Sequence, residues 1–225
     1  GIDLFCKRDI PFLKKYDTKI IVNVCGHAPE EYLAVVERLA DEPIDMMEIN
    51  ISCPNVNAGF LAFGQDAKHV EELTAQIKKI AKQPIIMKLT PNVTDITEIA
   101  KAAEAGGADV LSLINTLTGM KIDINRRTFA VANKTGGVSG PVVHPIAVRM
   151  VYQTAQAVNI PIIGMGGIAT PEDAIEMILA GASAVSVGTA NFYNPNATIE
   201  IIDGIEAYMK KNGFESVKDM VGIVK

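Results

Sequence analysis

A thiol set between two carboxamides opens the chemistry of this sequence: Asn50-Ile-Ser-Cys-Pro-Asn55. A cysteine thiolate can take a proton, and asparagine side chains can hold a planar polar ligand through paired donors and acceptors. An isolated cysteine is more often a small buried hydrophobe. Here Pro54 and the two asparagines put Cys53 in a loop, which continues through the glycine-punctuated residues 56–64. Lys88 is the second candidate, because it ends an otherwise apolar run. A lysine in that place either reaches the mouth formed by the strand ends or faces an anion, and at the mouth a fixed cation can stabilise electron-rich atoms of a cofactor ring. Asn115-Thr116 repeats the hydrogen-bonding theme, with a turn or a helix cap as the plain alternative.

Two glycine loops complete the set, Gly164-Met-Gly-Gly167 and Val187-Gly-Thr189. Glycines directly after a strand let backbone N–H groups close on a phosphate, with a helix N-terminus behind them. Either loop alone could be a tight turn. Together, and in the last two units of the chain, they favour phosphate binding.

The elements that must position these residues follow one rhythm. Apolar runs at 19–24, 46–51, 84–89, 109–114, 161–164 and 184–188 read as strands. Helical patterns at 29–39, 67–81, 95–105, 145–158, from 170 onward and at 199–211 alternate with them. Thr170-Pro-Glu-Asp173 is a helix opening, with Thr170 as N-cap and Pro171 in the first turn. Between about 115 and 143 the rhythm pauses for two alternating runs, 121–124 and 128–132, which predict a hairpin insertion.

Such alternation implies parallel strands, since each crossover returns the chain to the same end of the sheet. Asn23, Asn50, Lys88, Asn115, Gly166 and Gly188 fall at or just past the C-terminal ends of six successive strands. A barrel gathers all such ends at one mouth, whereas an open sheet gathers only those near its switch point. The expectation is therefore α/β, a (β/α)8 TIM barrel in which about six of eight strand-helix units lie in this chain, as one partial domain over 1–225.

Composition excludes several classes of function. A net charge of −5 without a lysine or arginine cluster gives no footprint for nucleic acid or an anionic membrane. No apolar run approaches the ~20 residues of a membrane span, and no charged-then-apolar leader starts at Gly1. Cys6, Cys25 and Cys53 are too few and too scattered for a disulfide framework or a metal knuckle. His27, His69 and His144 lack ligand spacing, so no metal site is assigned. A reducing, cytoplasmic setting is the expectation.

Six motifs in order carry a resemblance. Asn50-Ile-Ser-Cys-Pro-Asn55, Lys88-Leu-Thr-Pro-Asn92, Ile114-Asn-Thr116, Gly136-Gly-Val-Ser-Gly-Pro141, Gly164-Met-Gly-Gly167 and Val187-Gly-Thr-Ala-Asn-Phe192 closely resemble the class 1 dihydroorotate dehydrogenases, class 1B most of all. The resemblance covers essentially the whole chain. It implies oxidation of dihydroorotate to orotate in pyrimidine biosynthesis, with FMN taking the hydride and Cys53 as catalytic base. It implies that Asn50, Asn55, Asn115 and Thr116 hold the pyrimidine and its carboxylate. Asn23, Asn50, Lys88, Ile114 and Gly140 would contact the flavin, and Gly166, Gly167, Gly188 and Thr189 its phosphate. A homodimer core is implied, as is a partner subunit carrying FAD and an iron-sulfur cluster with NAD as final acceptor; this chain has no cysteine set for a cluster.

Two departures qualify the resemblance. Phe60 stands where the 1B pattern has a second glycine after Gly59. The family also has two strand-helix units before the point that Gly1 matches, and those units carry further flavin and orotate contacts. The alternatives are therefore a catalytically incompetent fragment or assembly module of such an enzyme, and a non-redox phosphate-binding barrel such as a lyase or isomerase.

Overall fold

The computed structural model describes residues 1–51 and 63–224, with the side chain of Phe63 outside the description. By contacts the chain forms two compact units. The first takes in Gly1–Leu89, Thr97–Ser112 and Val158–Pro161; the second takes in Thr90–Ile96, Leu113–Ala157 and Ile162–Lys225.

The first unit opens with α1 (Ile2–Leu4), a π turn (Phe5–Asp9) and α2 (Ile10–Leu13), which buries Ile10 and Cys6. None of these turns is among the elements expected from the sequence. The segment is short and mixed in polarity, so no helical stripe stands out. Then β1 (Ile21–Val24), α3 (Pro29–Leu39), β2 (Met46–Asn50), α4 (Ala67–Ile80), β3 (Ile85–Lys88), α5 (Ile96–Ala105) and β4 (Val110–Leu113) follow the expected alternation. Ile96 and Leu113, at the ends of α5 and β4, are counted with the second unit.

The strands pair in parallel in the order β1, β2, β3, β4. Ile85, Ile86 and Met87 are all fully buried, as a strand covered on both faces requires. In β2 the period of two separates Met47 and Ile49, both buried, from Glu48 and Asn50, which are partly exposed. Helix faces supply the rest of this core, with Val36 and Leu39 from α3 and Val70, Leu73 and Ile77 from α4.

The second unit begins its regular structure with two antiparallel ladders. β5 (Leu117–Met120) pairs with β8 (Thr135–Val138), and β6 (Ile122–Asp123) pairs with β7 (Thr128–Phe129). The inner ladder falls within the runs read from the sequence. The outer one carries Gly119, Gly136 and Gly137, poor strand formers that hide its signal. α6 (His144–Ala155), β9 (Ile162–Met165), α7 (Pro171–Ala180), β10 (Ala184–Ser186) and α8 (Ala197–Asn212) complete the unit, with β9 and β10 parallel. Ile175, Ile178 and Met220 form a buried cluster against which Leu179, Ile205, Tyr208 and Phe214 pack.

Thr170 is the N-cap of α7, as its sequence predicts. Its side chain accepts from the Asp173 amide at 3.3 Å, and Asp173 Oδ2 accepts from the Thr170 amide at 2.9 Å, closing a capping box. Losing such a cap costs about 1 kcal/mol. Thr170→Ala should therefore lower the midpoint of thermal unfolding by roughly 2–4 °C for a chain of this size, and a melt followed by circular dichroism checks it.

Candidate functional site

In the first unit, polar side chains from all four strands meet around one carboxylate. Asn23 of β1 and Glu48 of β2 are register partners, as are Lys88 of β3 and Ser112 of β4. Glu48 Oε2 accepts from Asn23 Nδ2 at 2.5 Å, and Glu48 Oε1 accepts from the buried Ser112 hydroxyl at 2.7 Å. Lys88 Nζ lies 3.8 Å from Glu48 Oε2, with side-chain exposures of only 19% and 14%. The lysine thus faces an anion, one of the two outcomes its place in an apolar strand required.

A thiol joins this group from just past β1. Cys25 donates to Asn23 Oδ1 at 3.3 Å and accepts from Asn50 Nδ2 at 3.6 Å. The Asn50 carbonyl accepts from the buried Tyr32 hydroxyl of α3 at 2.9 Å, which fixes the end of β2. Cys25 is exposed, whereas Cys6 is buried. Burial, aided by the neighbouring Glu42 carboxylate, pushes the Cys6 thiol above its ordinary range and leaves it a small hydrophobe.

The second unit builds a site from backbone. Gly140, Gly166 and Gly167 have φ of 88°, 128° and 73°. A Cβ on Gly166 would lie 2.8 Å from Ala147 Cβ and 3.2 Å from Ile114 Cγ1; one on Gly167 would lie 2.8 Å from the Gly140 carbonyl oxygen. Both positions need glycine for conformation and for space. Gly188 has open space at its Cβ position, and the Thr189 hydroxyl donates to Ser139 Oγ at 3.1 Å. Ile114, Gly140, Gly166, Gly167 and Thr189 are thereby linked by direct packing. The amides of Ala169 and Thr170 are already bonded to Asp173 Oδ2, so the start of α7 is capped by its own side chain.

Asn115 and Thr116 lie just after β4. Asn115 Oδ1 accepts from the Thr116 amide at 2.7 Å, and a Cβ on Gly137 would collide with Thr116 Oγ1. Asn92 clamps the loop, with Nδ2 donating to the Thr116 carbonyl at 3.1 Å and Oδ1 accepting from the Thr118 amide at 2.9 Å.

The chain matches the family model for dihydroorotate dehydrogenase over residues 1–209. It belongs to the dihydroorotate dehydrogenase family. The catalytic subunit of dihydroorotate dehydrogenase B (NAD(+)) from Lachnoclostridium phytofermentans is 65% identical over 225 residues, which is all of this chain and 75% of that protein. The same subunit from Alkaliphilus metalliredigens is 60% identical over 222 residues, covering 99% of this chain and 74% of that protein. A crystal structure of DHODH from Eimeria tenella in complex with ferulenol superposes with a TM-score of 0.78 at 23% identity, covering 96% of this chain and 65% of that one. The fold class is accordingly α/β of the TIM-barrel family, with six strand-helix units among the described residues.

The dihydroorotate dehydrogenase family is flavin-dependent, and the residues present suit such a group. The first unit offers a cation and carboxamides at strand ends, in Lys88, Asn23 and Asn50. In the second unit Gly166 and Gly167 hold positive φ, with their Cβ directions packed against Ala147, Ile114, His144 and the Gly140 carbonyl. Cys53 and Asn55 lie outside the described residues, as does Phe60. Among the described residues, no group of three or more His, Cys, Asp or Glu could hold a metal ion, and no helix is long and apolar enough to cross a membrane.

Sequence reasoning missed Glu48, Ser112, Cys25 and Asn92 as site residues. Glu48 carried the same signal as Lys88, a charge inside an apolar strand, and it shares a face with Asn50 two residues on. It missed His144 too. Nδ1 of His144 lies 3.0 Å from the Gly166 carbonyl oxygen, and Nε2 lies 3.1 Å from Glu176 Oε2 and 3.8 Å from Asp173 Oδ1. This side chain ties the first turn of α6 to the glycine loop.

Partial burial opposes charge on Asp173, but the Ala169 and Thr170 amides, the Thr170 hydroxyl and nearby His144 together hold its carboxyl below the usual range. A carboxylate depressed in the folded state stabilises above its unfolded pKa of about 3.9, and that stability is lost as pH falls through the folded value. Asp45, held by the Ile20 amide and Lys19, acts in the same sense. Urea titrations should therefore show unfolding free energy falling below about pH 4, with a shallower fall in Asp173→Asn.

Proposed function

We propose that this chain is the FMN-binding catalytic subunit of an NAD-linked dihydroorotate dehydrogenase, oxidising dihydroorotate to orotate in the cytoplasm. What carries the reading is the 65% identity, along the whole chain, to a catalytic subunit of that name. Polar strand ends and bare glycine loops support it, because a flavin mononucleotide needs both ring contacts and a phosphate cradle.

The reaction makes a C5=C6 double bond, so C5 gives up a proton and C6 a hydride. Cys53 takes the proton as general base. Asn50, Asn55, Asn115 and Thr116 hold the pyrimidine and its carboxylate by paired donors and acceptors. Bound FMN supplies the hydride acceptor. Lys88 would be among the residues that hold the ring, a fixed cation that favours negative charge developing on it. Asn23, Ile114 and Gly140 would hold the ring with it, and Gly166, Gly167, Gly188 and Thr189 would hold the phosphate. A partner subunit holding FAD and an iron-sulfur cluster would supply the onward path for electrons, with NAD as final acceptor, around a homodimer of this chain.

Rapid mixing with dihydroorotate tests the reading. FMN-loaded protein should bleach, and Cys53→Ala should keep its flavin and bind orotate while bleaching slows by at least about 10²-fold. A protein that takes up no FMN, or a Cys53→Ala variant that bleaches at the unaltered rate, would count against it.

A further inference from the structure

Glu48 is costly where it stands. Its neighbours Met47 and Ile49 are fully buried, and the carboxylate is 14% exposed. Replacing a buried ion pair by apolar side chains is often neutral or stabilising, so a charge here adds little that the fold needs. It nevertheless has a defined geometry, with Ser112 Oγ on one oxygen at 2.7 Å, and Asn23 Nδ2 at 2.5 Å and Lys88 Nζ at 3.8 Å on the other.

We infer that Glu48 is a positioning residue that orients Asn23 and sets the field around Lys88, and so tunes the reduction potential of the flavin. This rests on the flavin reading of Lys88 and Asn23. A carboxylate only accepts hydrogen bonds, so it fixes which way the Asn23 amide points. One N–H is committed to Glu48, and Oδ1 is turned to the Cys25 thiol at 3.3 Å. Lys88 is held beside a counter-charge on the adjacent strand, which offsets part of its positive field. A flavin gains negative charge on reduction, so a cation beside it raises the potential and a neighbouring anion lowers it. Glu48 thus moderates the cation while fixing where it points.

The test is a midpoint potential measured on the full chain loaded with FMN. Glu48→Gln keeps the size of the side chain and removes its charge. It should retain FMN and stabilise the reduced over the oxidised form about tenfold, a rise of ~30 mV for a two-electron couple. Glu48→Asp, which keeps the charge, should stay near the parent value. A Glu48→Gln protein with bound FMN and an unmoved midpoint overturns the inference. Should that variant not fold, Ser112→Ala removes one bond to the carboxylate and keeps its charge, and should weaken FMN binding about threefold; unaltered binding overturns the inference. Lys88→Gln separates the two layers, because it should lower the midpoint or lose FMN. If it does neither, the reading of Lys88 falls and the inference with it.

Discussion

A carboxylate inside an apolar strand must be answered, and in the first unit the answer draws on four strands at once. Glu48 belongs to β2, its amide partner Asn23 to β1, its cation Lys88 to β3 and its hydroxyl donor Ser112 to β4. Each hydrogen bond to a charged group contributes about 1.5–3 kcal/mol, and removing one partner of a buried ion pair costs about 3–5 kcal/mol. Parallel register makes the arrangement possible. Asn23 sits opposite Glu48 and Lys88 opposite Ser112, so short side chains reach the carboxylate without bending any strand. Hydrogen bonds of this kind link the polar side of the four strands, while Val36, Met47 and Ile77 pack on the apolar side.

The second unit meets a different demand. Where the first places charge, the second removes side chains. Gly166 and Gly167 adopt positive φ, and their missing Cβ atoms leave room only for Ile114, Ala147, His144 and the Gly140 carbonyl. Any other residue at Gly167 would be strained by conformation and by contact together. His144 then braces the loop through the Gly166 carbonyl. Asp173 and Thr170 satisfy the first amides of α7, so the helix start is capped by its own side chains.

Most of the alternation was legible because parallel strands buried on both faces are nearly pure runs of Ile, Val, Leu and Met. The capping box at Thr170 could be read directly, since its residue types and spacing are its geometry. The ladder of Leu117–Met120 with Thr135–Val138 could not, because its glycines are chosen for close approach, as at Gly137 against Thr116, and carry no strand propensity. Lys88 was found by its charge, yet Glu48 was not, although the two satisfy each other. A single sequence shows a buried charge as an anomaly but does not show its partner, which lies 40 positions away and is fixed only by strand register.

That asymmetry reaches to how the chemistry is assigned. Motif residues were sought where the strands end, and Asn23, Asn50 and Lys88 do stand at the ends of β1, β2 and β3. Glu48 lies two residues deeper in β2 than Asn50, on the same face, and Ser112 is fully buried. Groups at that depth are bonded to side chains of the neighbouring strands, Glu48 to Asn23 and to Ser112. Lys88, a flexible four-carbon cation, lies 3.8 Å from the Glu48 carboxylate of the adjacent strand. Polar residues at strand ends can therefore be picked out from sequence pattern, while the deeper groups they pair with emerge only when the strands are laid side by side.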